Sequence, residues 1–137
     1  MRTRSFILAV LALTFALAPS TPNTASAKGK NSYNARLVSP RAGEVLKPGQ
    51  VVRIEWNAEY PDVDLDYCEM EILLSIDGGH VYNFVCEQRN PKIQFYNWTV
   101  PATPTKAAIL DIRFGCLGIY PETTSPQIRS TFVISAD

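Results

Sequence analysis

Three sets of residues have types and spacings that could do chemistry. Asp62, Asp64 and Asp66 alternate in YPDVDLDY, the D-x-D-x-D spacing that can wrap carboxylates around calcium. The rest of an EF-hand loop is missing, since Tyr67 stands where the turn glycine belongs and Leu73 where a bidentate glutamate belongs. These acids read first as a solvated loop and second as a weak cation site. Cys68, Cys86 and Cys116 supply three thiols but no fourth ligand for a tetrahedral metal. The single histidine, His80, stands near Asp77 beside a glycine pair. Neighbouring residues of a hairpin point to different sides, so no serine-histidine-acid arrangement follows and His80 reads as a solvated turn residue. Copper would need several His or Met ligands, and Met70 falls on the buried face of a strand. No catalytic residue, metal or cofactor is expected. A glycoside hydrolase would need two carboxyl groups in one pocket, whereas the acids here alternate along strands or crowd one loop.

Recognition chemistry is better represented. Tyr60 and Tyr67 flank the acidic loop, and Tyr120 and Pro121 lie in LGIYPETTSPQ. Tyrosines beside acids can stack on sugars or anchor a peptide at low entropic cost. The candidate binding set is therefore Tyr60, Tyr67, Tyr120, Asp62, Asp64 and Asp66; the other reading of the tyrosines is that they cap the core.

The elements that must position these residues are strands. From Ala35 onward apolar and polar side chains alternate, with proline or glycine interrupting every ten residues or so, and no window holds helical spacing. Strands are expected over Arg36–Ser39, Gln50–Asn57, Cys68–Ile76, Val81–Cys86, Ile93–Val100, Ala107–Cys116 and Gln127–Ile134. Inward positions would be Val52, Ile54 and Trp56, then Cys68, Met70, Ile72, Leu74 and Ile76, then Tyr96, Trp98 and Val100. Ala108, Leu110, Ile112, Phe114 and Cys116 complete the set with Phe132 and Ile134. Glu69, Glu71, Ser75, Asp111 and Arg113 would face out, the charges pairing across strands. Asp77-Gly78-Gly79 supplies the positive φ angles of a tight hairpin. The Asn97-Trp98-Thr99 glycosylation triplet falls inside a strand and reads as chance.

The N-terminus sets the compartment. Arg2 and Arg4 precede an apolar run from Phe6 to Ala18, and Ala25-Ser26-Ala27 follows, the layout of a secretory signal peptide. The run is too short to span a bilayer, so residues 1–27 are expected to be cleaved and the protein to be secreted or periplasmic, without membrane insertion. Residues 28–34 would be a flexible leader and 35–137 one domain. The 13 basic and 13 acidic residues balance, and loss of Arg2 and Arg4 leaves −2, which makes nucleic acid a poor partner.

The order SPRAGEVLKPGQVVRIEW, EILLSIDGGHVYNF, FYNWTVP resembles the immunoglobulin-like or fibronectin-like module of Knh-type yeast cell-wall proteins, the Ser-Thr-rich GPI-anchored family. A similar module recurs in secreted bacterial proteins. The resemblance covers nearly all of the chain after residue 27, but its motifs specify turns and core tryptophans, so no catalytic residue carries over. Tyr82 stands where such modules often have tryptophan. The lack of a Ser/Thr-rich tail and of a lipid-anchor signal weighs against a yeast cell-wall member.

The resemblance implies an all-β, seven-stranded antiparallel sandwich with Greek-key connections. In sandwiches of this kind the third strand pairs with the sixth, so Cys68 would meet Cys116; Cys68 with Cys86 is the competing bridge. The loops bearing Tyr60, Tyr67 and Tyr120 would then emerge at one end, as antibody loops do. The expected function is an exported, non-enzymatic module that binds an extracellular or periplasmic protein or glycan there. The alternatives are an envelope subunit assembling through a sheet edge and, last, a hydrolase.

Overall fold

Alternation of side chains makes strands of this chain, and its glycines decide where they turn. The computed structural model describes residues 32–136; the expected signal peptide and residues 28–31 lie outside them. Nine strands form: β1 (Asn34–Ser39), β2 (Val45–Leu46), β3 (Val51–Glu59), β4 (Cys68–Ser75), β5 (Asn83–Gln88), β6 (Phe95–Thr99), β7 (Thr105–Cys116), β8 (Tyr120–Thr123) and β9 (Phe132–Ile134). One sheet has the order β1-β3-β6. The other runs β2-β9-β7-β4-β5, with β8 also paired to β7.

Both sheets contribute to a single apolar cluster. Ile54, Trp56 and Trp98 come from the first, and Met70, Ile72, Leu110, Phe114 and Phe132 from the second. The Trp98 ring meets Phe132 edge-on at 6.4 Å between centroids, a favourable aromatic geometry. The protein is thus all-β with two sheets enclosing one core.

Several expectations need correction. Among the described residues there are nine strands, not seven, and they are not all antiparallel: β2 runs parallel to β9. This pairing follows from Gly43, whose φ of +75° turns the chain and whose N–H reaches Thr131 O at 2.8 Å. The last strand, expected from Gln127, begins only at Phe132, because a single 3-10 turn occupies Ile128–Ser130. Two residues of the expected leader belong to the fold. Tyr33 is buried and Asn34 already belongs to β1.

Strict inward–outward alternation fails along β4. Ser75 and Leu73 are buried and Ile76 is exposed, and the β4–β5 pairing shifts register between Ile72 and Leu73. The connection after β4 is a loop over 76–82, not a tight hairpin, and it folds back onto the outer face. A Cβ placed on Gly79 would lie 3.6 Å from Ile109 Cδ1 and 3.1 Å from the Tyr82 hydroxyl. Burial first, and the charge of Asp111 second, push the Tyr82 phenol upward. A covered outer face explains why Ser75 and Ile109, partners in register, are both buried.

The loop holds itself in shape. Ser75 Oγ donates to Asp77 Oδ1 at 2.6 Å and accepts from Gly79 N at 2.9 Å. The same Asp77 oxygen accepts from the N–H groups of His80 and Val81. Gly78 and Gly79 take φ of +78° and +95°, which only glycine adopts without strain. Asp77 and its glycines are therefore turn chemistry, and His80 is exposed.

Candidate functional site

β4 and β7 run antiparallel with Cys68 directly opposite Cys116, and these two sulfurs are bonded. Cys86, the competing partner, is free and buried in β5; burial pushes its thiol up to about 11. The bridge sits at the base of two segments. The acidic loop enters it through a 3-10 turn at Leu65–Tyr67, and the β7–β8 hairpin leaves it. In that hairpin Ile119 N donates to Cys116 O at 3.0 Å, with Gly118 at φ +70°. A turn with positive φ at its third residue needs glycine there.

The three expected tyrosines do gather at this end, but they do different things. Tyr60 and Tyr120 pack on Phe114, with ring centroids at 5.0 and 5.6 Å. Tyr60 donates its hydroxyl to Pro91 O, and burial pushes its phenol up to about 12. Tyr120 Oη accepts from Tyr33 N at 3.2 Å. Both are half-buried and pack inward to close this end of the core, with part of the Tyr120 surface left in the groove described below. Tyr67 is 66% exposed.

The three aspartates do not converge. Asp64 Oδ1 accepts from Asp66 N at 3.1 Å and caps the short turn. Asp66 pairs with Lys92 at 3.4 Å, and Asp62 is exposed. Among the described residues no group of three His, Cys, Asp or Glu side chains is placed to hold a metal ion.

A groove that the sequence reading did not anticipate lies beside the bridge. It encloses about 280 Å³ between β4, β7 and β8. Glu69 and Glu71 form one wall, Glu122 the other, and Leu117, Tyr120 and Pro121 its apolar end. Its floor includes Gly115, which faces Glu69 in register. A Cβ there would come 3.3 Å from the backbone of Glu122, so any larger residue would press β8 outward.

Charge in this groove is unbalanced. Arg113 is already engaged, with Nε 2.8 Å from Asp111 and a terminal nitrogen 3.0 Å from Glu122. Burial raises the Glu71 carboxyl, and Glu122 and Glu69 raise it further. Like charges are thus held together at a partly desolvated position.

Exposed apolar residues border the groove. Leu117 is 96% exposed at the tip of the turn and Ile119 54%. Turn tips are usually occupied by polar residues or glycine, so an aliphatic residue directly after a bridged cysteine was the legible signal for this site. A second recess of about 450 Å³ lies on the other side of Leu117, lined by Tyr67, Glu87 and Arg89 among others. Glu87 and Arg89 pair with each other at 2.7 Å.

Asp111 was expected to face water and is instead 2% exposed. It accepts from Arg113 and from Ser125 N at 2.9 Å. Its role is to hold the segment after β8 against β7.

No family model matches the sequence, and no curated protein matches it. Among the described residues no helix is long and apolar enough to cross a membrane.

Proposed function

We propose that this protein is an exported, non-enzymatic, immunoglobulin-like binding module that recognises an extracellular or periplasmic partner through the disulfide-anchored end. The sheet orders β1-β3-β6 and β2-β9-β7-β4-β5 support the immunoglobulin-like reading, and the disulfide suits an oxidising compartment. The observation that carries the functional reading is Leu117, left almost wholly in solvent on a turn whose base is covalently fixed. With Tyr67, which shares a recess with it, and Ile119, two residues on, it makes an apolar patch of the kind that partners cover. A fixed base lowers the entropy lost when that surface is covered.

The test is binding of glycan and peptide panels by the protein and by a Tyr67→Ala/Leu117→Ser variant. Unchanged binding by the variant would remove the loop end from the reading.

One observation favours a second reading, assembly through a sheet edge. β5 ends its sheet and carries Phe84, 61% exposed, next to Val81, 58% exposed. Unpaired strand edges with apolar side chains recruit further strands. Light scattering against concentration separates the two. A mass that grows with concentration and is returned to monomer by Phe84→Lys would favour assembly.

A further inference from the structure

The groove beside the bridge combines two features that together select a class of partner. Glu69 and Glu71 lie on the same face of β4, two residues apart, so their side chains leave the strand roughly 6.6 Å from one another. Glu69 faces a glycine on β7 and so has no side chain across from it on that side; on the β5 side Arg89, which lines the neighbouring recess with it, is paired with Glu87 at 2.7 Å. Glu71 lies between Glu87 on β5 and Arg113 on β7, and that arginine is committed to Asp111 and Glu122. The wall is therefore anionic without a dedicated cation. The groove's apolar end and rim are mostly aliphatic or inward-turned: Leu117 and Ile119 stand out, while the Tyr120 ring lies on Phe114. Sugars are held chiefly by exposed aromatic faces, and here Tyr67 alone of the three candidate tyrosines is exposed, Tyr60 and Tyr120 being half-buried. Apolar side chains of a peptide suit an aliphatic rim.

We propose that this groove seats an extended segment of a protein partner bearing lysine or arginine at alternate positions. Glu69 and Glu71 meet the cations, and Leu117, Tyr120 and Pro121, at the end of the groove, meet apolar side chains of the same segment. This rests on the loop-end reading above and narrows it to a cationic protein segment. The spacing of cations in an extended peptide, every second residue, is the same as that of the two glutamates. Pairing with cations also relieves the repulsion among Glu69, Glu71 and Glu122 that the free protein must tolerate.

The experiment is an amide NMR titration of the disulfide-intact protein with a short peptide alternating lysine and leucine. Its glutamine–leucine and glutamate–leucine counterparts and a neutral oligosaccharide serve as comparison probes. The expected result is movement of the Gly115, Leu117 and Gly118 resonances with the lysine peptide, weakening as salt is raised. A Glu69→Gln/Glu71→Gln variant should bind at least about tenfold more weakly, the loss of two charge-assisted contacts. Both side chains point out of the sheet, so the variant should keep the parent spectrum. Leu117→Ser, altered at an exposed turn tip, provides a second variant with the same expected direction.

Equal movement with the glutamine–leucine peptide or with the oligosaccharide would overturn the cationic class and leave the loop end in place. Absence of any movement with the lysine peptide would overturn it as well. Movement confined to β5 around Phe84 would overturn both this inference and the loop-end reading.

Discussion

Cys68 and Cys116 are exact register partners across β4 and β7, separated by 48 positions in the chain. A crosslink closing a loop of that length restricts the unfolded ensemble by about 4 kcal/mol on the chain-entropy account. Reduction, or a Cys68→Ala/Cys116→Ala variant, should lower stability by that order. Chemical denaturation with and without reductant measures it. A loss below about 1 kcal/mol would show that the bridge does not constrain the unfolded chain as its loop length requires.

Cys86 should behave as a core residue. Burial raises its thiol to about 11, so little thiolate exists near neutral pH and access is blocked. Alkylation by iodoacetamide should therefore track global unfolding. Fast modification of the native protein would place Cys86 at an opening edge instead.

Asp111 is the most buried carboxylate among the described residues, held by Arg113 and Ser125 N. Asp111→Ala leaves an N–H without its acceptor and removes one of the two carboxylates that hold Arg113, and should cost about 2–3 kcal/mol. Asp111→Asn, which keeps an acceptor, should lose less. Thermal and urea midpoints of the two variants give the comparison, and equal losses would mean that charge, not hydrogen bonding, carries the site.

Asp77 stabilises its loop only while ionised. The Ser75 hydroxyl, then the Val81 and His80 N–H groups, hold its carboxyl below the usual range. A carboxylate with a depressed folded value contributes stability above its unfolded value and loses it as pH falls toward the folded one. Asp77→Asn should lower the melting temperature at neutral pH and flatten the acid limb of the stability curve. A parallel acid limb in the variant would contradict this.

At the alkaline end Tyr60 takes over. Its phenol is pushed up to about 12 by burial, so from about pH 10 the unfolded chain releases that proton while the folded one keeps it. Stability should therefore fall as pH rises from about 10 to 12. Tyr60→Phe should cost about 1 kcal/mol at neutral pH through the lost bond to Pro91 O and should lose less stability over the alkaline range. Tyrosine absorbance followed alongside circular dichroism separates titration from unfolding.

Much of the frame was legible because it rests on local pattern. The parity of Cys68, Met70, Ile72 and Leu74, and of Ala108 through Cys116, places those residues inward as expected. The Cys68–Cys116 bridge follows once β4 and β7 pair. Outward parity misled where another segment covers the sheet. Ser75, Leu73 and Asp111 are buried because the 76–82 loop and the segment at Ser125 lie against β4 and β7, and no periodicity records a loop that folds back.

The tyrosines stand out by type, and the structure brings all three to one end of the domain. Whether a ring faces a ligand or the core depends on Phe114, which lies distant in sequence from Tyr33 and Tyr60. The groove escaped notice for a similar reason. Glu71 looks like one of several alternating acids until β5, β7 and β8 bring Glu87, Glu122 and an already occupied arginine around it.

Gln127, together with the Ser125 hydroxyl that donates to Ala35 O at 3.2 Å, joins the first strand to a segment near the other end of the domain. Its side-chain oxygen accepts from Leu37 N at 2.9 Å, and its nitrogen donates to Ala35 O at 3.1 Å and Ser125 O at 2.6 Å. One amide thereby rivets the first strand to a segment near the far terminus. Tension applied at residue 32 would load these bonds in shear before β1 could peel from β3, so the domain should resist pulling from its N-terminal side more than its short first strand suggests.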